Sequence, residues 1–248
     1  GVSAFKPGDA VFAFTGSGLG CHVEYRCLAA NGAVALKPPD LSYAQAAALS
    51  FGGATMLDFY WRAALKAGER VLVNGATGTV GTAAVQLARH FGAHVTAVCR
   101  QERADLVSSL GAHRVIDRES QDFATGSTAY DVIVDTAGTA PFARCAPVLA
   151  PRGRLLLVLA TLAEMLRSPW NTLRSGKRVI AGPAAERAEY VHRLRDLACA
   201  RHFLPVIDRT YPFDEIRAAH EHVDRGHKAG SVVVEIEPGL WKTKASAH

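Results

Sequence analysis

Apolar positions change from strand spacing to helical spacing and back again between residues 69 and 100. Val71–Val73 is a short β-branched run, the pattern of a buried strand, and Val95–Val98 is a second run of this kind. Between them, apolar residues at helical spacing predict an amphipathic helix with one packed face: Val80, Ala84, Leu87, Ala88 and Phe91. The pattern therefore predicts one continuous unit of strand, turn, helix and strand.

Strand-like and helical segments continue to alternate as far as residue 198, which predicts an α/β fold with a doubly wound, six-stranded parallel sheet. An earlier helix begins with the capping box at Ser42, and we expect it to break at Phe51–Thr55 before it resumes from Leu57 to Leu65. The predicted strands are Val71–Val73, Val95–Val98, Arg114–Ile116, Val132–Asp135, Leu155–Leu159 and Val179–Ala181, and crossover helices are predicted at about Glu102–Leu110, Phe142–Leu149 and Ala188–Ala198.

Both ends of the chain have β character. Ala10–Phe14 and His22–Leu28 predict short antiparallel strands, too few to close a β-domain. Beyond residue 208, a helix at Asp214–Asp224 and a last strand at Ser231–Ile236 indicate a return to antiparallel structure. We therefore expect a division into residues 1–41, 42–208 and 209–248, and a loose basic tail at Gly239–His248.

Composition excludes several classes of function. Of the 248 residues 49% are hydrophobic and 21% charged, as in ordinary globular proteins, and the net charge of +5 is scattered along the chain. Without a basic block or a long apolar run, neither a nucleic acid nor a membrane is an expected partner. The five cysteines lack C-x-x-C spacing, which argues against a disulfide framework or zinc cluster and favours a reducing, cytoplasmic location.

The turn between the first strand and its helix carries the clearest chemistry. Glycines there let the backbone approach a pyrophosphate closely, and the helix start presents amide N–H groups and a positive dipole end to the anion. In place of G-x-G-x-x-G the sequence has A-x-G-x-x-G, with Ala76, Gly78 and Gly81, preceded by Gly75. A tight turn that binds nothing is the alternative, but the flanking strands and helix favour dinucleotide binding.

The end of the second strand bears on the choice of cofactor. An acidic residue there would hold the ribose hydroxyl of NAD, whereas arginine accommodates the 2′-phosphate of NADP. The sequence has Arg100 and Arg103 and no acidic residue at the strand terminus, which favours NADP(H). A solvated arginine neutralised by Glu102 is the alternative interpretation.

Several segments, in order and spacing, resemble the medium-chain dehydrogenase/reductase family, in its zinc-independent branch of quinone oxidoreductases and enoyl reductases. The resemblance implies a GroES-like catalytic domain built from the two chain ends around an inserted Rossmann domain. It also implies that the chain is truncated, because most of the catalytic barrel would precede Gly1. The matching segments are Phe5–Val11, Ala46–Leu49 leading to Thr55, Asn74–Gly81, Leu110–Asp117, Asp131–Gly138, Pro205–Arg209 and Gly226–Gly230.

The resemblance also implies where the cofactor binds: at Thr55, the glycine turn and Arg100, with the groove closed by Thr136–Gly138 and Leu159–Ala160. Lys228 beside Gly230 can reach a cofactor phosphate, although a surface lysine is an equal alternative. No metal is expected, because Phe51 stands where zinc-dependent relatives have a later ligand and the other ligand regions are absent. The predicted cofactor residues are Thr55, Gly75, Ala76, Thr77, Gly78, Thr79, Val80, Gly81, Arg100, Arg103, Thr136, Ala137, Gly138, Leu159, Ala160 and Lys228.

The function implied is NADPH-dependent hydride transfer, without metal, to a quinone, enone or related activated carbonyl compound. No proton donor stands out: Tyr25 and His22 are candidates, but a packed or surface position suits both better. His220 and His222 would point to different helix faces and are expected to be solvated. Two alternatives stay open: a non-catalytic NADP(H)-binding module or truncated product, and an alcohol or aldehyde dehydrogenase of the same fold.

The expected partners are a small-molecule substrate and a second copy of the chain. The predicted strand Val179–Ala181 lies at a sheet edge, where unpaired backbone groups invite strand pairing. We therefore expect a homodimer through that edge of the Rossmann sheet.

Overall fold

The structure is a computed structural model that describes residues 3–18 and 20–236. The predicted loose tail Gly239–His248 lies outside these residues. The elements in chain order are β1 (Val11–Ala13), β2 (Val34–Leu36), α1 (Tyr43–Ala63), β3 (Arg70–Asn74), α2 (Thr79–His90), β4 (His94–Cys99), α3 (Ala104–Ser109), β5 (Arg114–Asp117), β6 (Tyr130–Asp135), α4 (Phe142–Cys145), β7 (Leu149–Leu157), α5 (Leu162–Ser175), β8 (Arg178–Ala181), α6 (Ala188–Cys199), β9 (Ile207–Pro212), α7 (Ile216–Asp224) and β10 (Ser231–Glu235).

A six-stranded sheet, with strand order β5-β4-β3-β6-β7-β8 and every neighbouring pair parallel, occupies the centre of the structure. This confirms the predicted doubly wound sheet, and all six predicted strands are found. β7 begins earlier than predicted, at Leu149, because the helix predicted to reach that residue ends at Cys145 in a 3₁₀ turn that contains Pro147. Proline lacks the N–H that a longer helix would need.

Two apolar cores lie on the two faces of this sheet. Alternate residues of each strand enter opposite cores, as the two-residue period of a strand requires. On β3, Val71 and Val73 join the core formed with α1, α2 and α6, while Leu72 joins the core on the other face. The continuous apolar runs in the sequence therefore reflect strands that are buried on both faces.

Helix α1 is continuous, and the predicted break at Phe51–Thr55 is wrong. The capping box at Ser42 is present, since Gln45 N donates to Ser42 Oγ at 3.1 Å and Ser42 N donates to Gln45 Oε1 at 2.9 Å. A Cβ on Gly52 would lie 2.5 Å from the Thr79 carbonyl oxygen, and one on Gly53 would lie 2.4 Å from a methyl of Leu194. The two glycines therefore allow α1 to pack closely on α2 and α6, and do not end it.

The strand predicted at His22–Leu28 is also wrong. Those residues are exposed and irregular, and β1 pairs antiparallel with β2, further along the chain. An alternating pattern does not form a strand when neither of its faces is buried. At the other end, β9 and β10 pair in parallel, not antiparallel, because α7 forms the crossover between them. The division into residues 1–41, 42–208 and 209–248 stays a prediction.

Side chains bond to part of the outer edge of the sheet, at β8. Ser168 Oγ in α5 donates to the Val179 carbonyl at 2.8 Å, and Val179 N donates to Thr172 Oγ1 at 3.2 Å. Arg62 Nη2 donates to the Ala181 carbonyl at 2.7 Å. The prediction of unpaired backbone groups at this edge is therefore wrong for the Val179 N–H and carbonyl and for the Ala181 carbonyl, whereas association of two copies through the edge stays a prediction. None of the helices in the described part of the chain is both long and apolar enough to cross a membrane.

An ion pair fixes the start of β3 against β7. Arg154 donates two hydrogen bonds to the Glu69 carboxylate, at 2.9 and 2.5 Å, and both side chains are largely buried. Burial alone would raise the pKa of Glu69, but the bonds from Arg154 and from the Lys66 N–H hold that pKa below its ordinary value.

Because its pKa is lowered, Glu69 contributes to the free energy of unfolding in a way that depends on pH. A carboxyl group whose pKa falls on folding stabilises the protein at pH values above its pKa in the unfolded chain, here 4.5. This stabilisation is lost as the pH drops through its pKa in the folded protein. We expect Glu69→Gln to lower the free energy of unfolding by about 1–3 kcal/mol at pH 7. Denaturant titrations at several pH values should show the difference from wild type shrinking below pH 4.5; a difference independent of pH would contradict this.

Candidate functional site

An open cleft of about 240 Å³ lies beyond the carboxyl ends of β3, β4 and β6. The strand order reverses at β3, and ligands of doubly wound sheets bind at such a reversal. The cleft is markedly basic, with one acidic side chain among its lining residues. These are Asn74, Gly75, Thr77, Val98, Cys99, Arg100, Glu102, Arg103, Arg118, Gln121, Phe123, Ala137, Thr139, Arg144, Gly226, His227 and Lys228.

The start of α2 lies beside this cleft and has no side-chain cap. Its N-cap residue is Gly78, which has an extended backbone and offers no acceptor to the first turn, whereas α1 and α5 both begin with a capping box. The first N–H groups of a helix need an acceptor from elsewhere, and the helix dipole favours a negatively charged one. This helix start therefore suits an anionic group such as a diphosphate.

Backbone packing in the turn explains its glycines. Gly75 has a φ of +81°, which glycine adopts without strain. A Cβ on Gly81 would lie 2.1 Å from the Gly75 carbonyl oxygen, so this position brings α2 against the turn. A Cβ on Gly78 would meet nothing closer than that same oxygen at 3.9 Å. The fold therefore requires glycine at position 81 but not at position 78. At position 78, only a ligand that approaches the backbone closely would require glycine.

A buried carboxylate joins the ends of β3 and β6. Asp135, 2% exposed, accepts from Asn74 Nδ2 at 2.9 Å on one oxygen. The same oxygen accepts from the N–H groups of Ala137 and Gly138 at 3.1 Å, and its other oxygen accepts from the Ala140 N–H at 2.8 Å. Asp135 thus holds the loop after β6 in the position where it lines the cleft. Neither Asn74 nor Asp135 was predicted as a positioning residue.

Thr136, a predicted cofactor residue, uses its hydroxyl within the protein. Its Oγ1 lies 3.0 Å from the Asn74 carbonyl and 2.9 Å from the Gly75 carbonyl, to which it donates. The side chain thereby ties the loop after β6 to the glycine turn. In this structure, Thr136 therefore stabilises the conformation of the glycine turn.

Lys228 approaches the same helix start from the C-terminal segment of the chain. Its ammonium donates to Thr79 Oγ1 at 3.0 Å and to the Gly230 carbonyl at 2.7 Å. The Gly230 N–H in turn donates to the Thr77 carbonyl at 2.7 Å, which fixes this segment on the turn. Burial lowers the pKa of Lys228, and the nearby Asp208 carboxylate opposes that shift. A half-buried cation beside an uncapped helix start suits a phosphate ligand.

Asp208 holds the segment that carries Lys228. Its Oδ1 accepts from the Ala229 N–H at 2.9 Å, and its Oδ2 lies 2.6 Å from His222 Nε2. Although burial would raise the pKa of Asp208, these two hydrogen bonds keep it below its usual range. His222 is therefore partly buried and paired, and the expectation that it is solvated is wrong. His220, by contrast, lies against the ring of His22, outside the cleft.

Arg100 follows β4 directly and lines the cleft together with Arg103. Its Nε lies 3.2 Å from Glu119 Oε1, and its Nη1 lies 4.0 Å from Glu102 Oε1. Glu119, and not the predicted Glu102, is therefore the nearer acidic neighbour. At the end of β4 itself stands Cys99, whose thiol pKa is raised by burial, so it behaves as a small apolar residue there.

The predicted cofactor residues fall into three groups. Those that line the cleft are Gly75, Thr77, Arg100, Arg103, Ala137 and Lys228. Those that form the turn and the helix start are Ala76, Gly78, Thr79, Val80 and Gly81. Those that do not line it are Thr55, buried in α1, and Thr136, Gly138, Leu159 and Ala160, and for these cofactor contact stays a prediction. The lining residues that were not predicted include Arg118, Gln121 and Phe123, between β5 and β6, and Arg144 in α4, because the sequence around them matches no binding motif.

A metal site needs several His, Cys, Asp or Glu side chains close together. Within residues 3–18 and 20–236, no three His, Cys, Asp or Glu side chains lie close enough together to hold an ion. Phe51 is exposed on α1 with its ring 6.5 Å from that of Phe14, and offers no ligand atom. The donor atoms in the described part of the chain therefore do not fit a zinc site.

The fold and the cleft together define a class of protein. A doubly wound parallel sheet, an uncapped helix start after its central strand and a basic cleft at the strand reversal are features of a dinucleotide-binding Rossmann domain.

Comparison with known proteins places the chain within a family. The zinc-binding dehydrogenase family matches residues 110–234, and the C-terminal domain of alanine dehydrogenase and PNT matches residues 46–155. A chloroplastic quinone oxidoreductase of Triphysaria versicolor is 31% identical over 94% of this chain and 74% of its own length. The chain belongs to the zinc-binding dehydrogenases of the medium-chain dehydrogenase/reductase family, oxidoreductases with a nicotinamide cofactor.

Solved structures agree with this assignment. An alcohol dehydrogenase superfamily protein from Novosphingobium aromaticivorans superposes with a TM-score of 0.80 and 26% identity, over 95% of this chain and 77% of its own. The quinone oxidoreductase from Coxiella burnetii superposes with a TM-score of 0.75 and 26% identity, over 82% of this chain and 64% of its own. The chain thus spans between 64% and 77% of the length of these three proteins.

Proposed function

We propose that this chain is an NADPH-dependent oxidoreductase that reduces a quinone, an enone or a related activated carbonyl compound without a metal ion. The observation that carries the proposal is the basic cleft beside the uncapped start of α2, where glycine is present at position 78 although the fold leaves room for a Cβ. Such a site suits a dinucleotide with an additional phosphate.

The chain's own residues would hold the cofactor in a definite orientation. The amides at the start of α2 and the Lys228 ammonium would bind the diphosphate, while Arg100 and Arg103 would bind the 2′-phosphate. The bound reduced nicotinamide supplies the hydride, so the tasks of the protein are to orient it and to exclude water. The Asp135 network supports this role by fixing the loop that lines the cleft.

The choice of substrate and the absence of metal rest on two kinds of support. Two of the similar proteins are named quinone oxidoreductases. The donor set in the described residues does not fit zinc, which disfavours the alcohol dehydrogenase alternative.

Five free cysteines support a reducing compartment such as the cytoplasm.

An assay of NADPH oxidation with a panel of quinones, enones and aldehydes tests this proposal. We expect turnover with a quinone or an enone, at a rate that a chelator does not change. NADPH binding without turnover on any member of the panel would favour the non-catalytic module. Activity that is lost with the chelator and restored by zinc would favour the alcohol or aldehyde dehydrogenase.

The choice of NADPH over NADH makes a prediction for Arg100. We expect wild type to bind NADPH at least tenfold more tightly than NADH, and Arg100→Asp to abolish that preference. Hydrogen bonds to charged groups contribute about 1.5–3 kcal/mol each, which corresponds to roughly ten- to hundredfold in affinity. Fluorescence titration with both cofactors measures the change.

Arg114→Asp is the matched control, because it makes the same change of charge at the opposite end of the neighbouring strand β5. Its two affinities should equal those of wild type. Equal affinities for NADPH and NADH in wild type, unchanged by Arg100→Asp, would overturn the assignment of NADP(H).

A further inference from the structure

A short segment of the chain, residues 226–230, crosses from the C-terminal strands β9 and β10 to the glycine turn. The Gly230 N–H donates to the Thr77 carbonyl at 2.7 Å, and Thr79 Oγ1 donates to the Gly230 carbonyl at 2.9 Å. Gly230 has a φ of +87°, and a Cβ there would lie 2.3 Å from the Val206 carbonyl oxygen. Only glycine fits this crossing without strain, so the end of the segment is fixed against the turn.

The middle of the segment is held by a carboxylate–imidazole pair. Asp208, whose side chain is 15% exposed, accepts from the Ala229 N–H at 2.9 Å, and its second oxygen lies 2.6 Å from Nε2 of His222 in α7. The His222 ring lies 6.1 Å from the Tyr211 ring of β9, measured between centroids. Ala229 follows Lys228 directly, so its hydrogen bond to Asp208 fixes the backbone from which the lysine side chain extends.

Lys228 points at the helix start from this fixed backbone. Its ammonium has three N–H donors and uses two of them within the protein, on Thr79 Oγ1 at 3.0 Å and on the Gly230 carbonyl at 2.7 Å. Thr79 is the first residue of α2, whose first N–H groups lack a side-chain cap. A cation that is already ordered beside those groups binds a phosphate without a further loss of side-chain entropy. The fold itself therefore orders Lys228 for an anion at the helix start.

Charge as well as position connects Asp208 with Lys228. Burial lowers the pKa of Lys228, and the Asp208 carboxylate opposes that shift. Other charged or titratable side chains near this pair are His222, Arg103, which acts on the Asp208 carboxylate, and His227, which lines the cleft beside Lys228. Asp208 thus keeps the ammonium charged, which is the form that binds a phosphate.

We propose that Asp208 and His222 are positioning residues for the cofactor diphosphate, and that they act on it through Lys228. Neither side chain is among those that line the cleft, so neither is placed to touch the ligand. Because the ligand of Lys228 is taken to be the diphosphate of NADPH, this inference rests on the proposed function. The competing explanation is that the pair only stabilises the packing of α7 on β9.

A double-mutant cycle separates these two explanations. We expect Lys228→Met to lower NADPH affinity at least about tenfold and His222→Ala to lower it at least about fivefold, measured by calorimetric titration. The double variant should bind NADPH as weakly as Lys228→Met alone, because His222 acts only through the lysine. A pair that only stabilises the fold would add its loss to that of Lys228→Met, and additive losses would overturn the proposal.

Two glutamine variants and a second ligand are the controls. His222→Gln places an amide N–H near the position of Nε2, so the bond to Asp208 persists and NADPH affinity should stay within about twofold of wild type. His220→Gln makes the same substitution two positions earlier, on a side chain that lies against His22 outside the cleft, and should bind NADPH as wild type does. Adenosine 2′-monophosphate lacks the diphosphate, so wild type and His222→Ala should bind it equally. A His222→Gln protein as weak as His222→Ala, or equal losses for the two ligands, would overturn the proposal.

The pH profile of Asp208→Asn tests the contribution of charge. Asparagine still accepts from the Ala229 N–H but carries no charge, so burial lowers the pKa of Lys228 unopposed. NADPH affinity should therefore fall with rising pH at a lower pH in this variant than in wild type, and coincident profiles would contradict the proposal. If wild type binds NADPH and His222→Ala binds it equally well, only this inference fails. If wild type binds no NADPH, the proposed function fails as well.

Discussion

Replacing Asp135 with alanine is expected to lower the free energy of unfolding by about 3–5 kcal/mol, because four donors, two of them buried, lose their shared buried acceptor. Three of these are backbone N–H groups of the loop after β6, and the fourth is the amide of Asn74. The loop lines the cofactor cleft, so NADPH affinity should fall as well. Denaturant titration and cofactor titration measure the two effects.

Two further variants separate the network from a general effect on the strand. Asp135→Asn keeps the shape but places a donor against one of the N–H groups, so an intermediate loss is expected. Asp131→Ala removes a carboxylate from the start of the same strand, where it is partly exposed and bonds to Arg70, and should cost less than about 1 kcal/mol. Equal losses for Asp135→Ala and Asp131→Ala would contradict the role assigned to the network.

Gly81→Ala is expected to lower the free energy of unfolding by about 3 kcal/mol, through overpacking where α2 meets the turn. The added Cβ would lie 2.1 Å from the Gly75 carbonyl oxygen and less than 3 Å from two backbone atoms of Ala76. Backbone atoms, unlike the end of a flexible side chain, cannot move aside locally. Thermal and denaturant unfolding report the loss directly.

Gly78→Ala is the matched control for Gly81→Ala, three residues away in the same turn. Its φ of −73° suits alanine, and its Cβ would have no atom within 3.4 Å. We expect its stability to stay within about 0.5 kcal/mol of wild type. If Gly81→Ala were equally well tolerated, the close packing of α2 on the turn would be refuted.

The sheet was predictable because its determinants are local. Val71–Val73 and Val95–Val98 are apolar throughout, as strands buried on both faces must be, and the glycine turn joins them to a helix with a regular apolar stripe. The break predicted in α1 was wrong for a non-local reason. Gly52 and Gly53 face Thr79 and Leu194, and no pattern within α1 reveals contacts with residues so distant in the sequence.

Helix α5 was not predicted because its apolar residues are exposed and do not pack in the core. The segment has strong helical periodicity, but its apolar residues face outward and only polar side chains such as Ser168 and Thr172 contact the sheet. Apolar positions that are assigned to a core predict no helix whose apolar side is exposed.

The sequence predicted the residues that face the ligand, but not the residues that hold them in position. The glycine turn, Arg100 and Lys228 carry signals in residue type and position, and the structure brings them to one cleft or to the helix start beside it. Asp135 pairs with Asn74 across 61 positions of sequence. Glu119 reaches Arg100 from a loop after another strand, so neither support has a local signature.

The central claim is that the start of α2 holds the diphosphate of a nicotinamide dinucleotide against bare backbone, and calorimetric titration of NADPH into wild type and Gly78→Ala tests it most directly. A methyl group at position 78 would make only an ordinary contact with the protein, 3.9 Å from the Gly75 carbonyl oxygen, so a change in affinity reports contact with the ligand. We predict a loss of at least about tenfold in affinity at an unchanged melting temperature. Equal NADPH affinities for the two proteins, or no binding to either, would contradict the account.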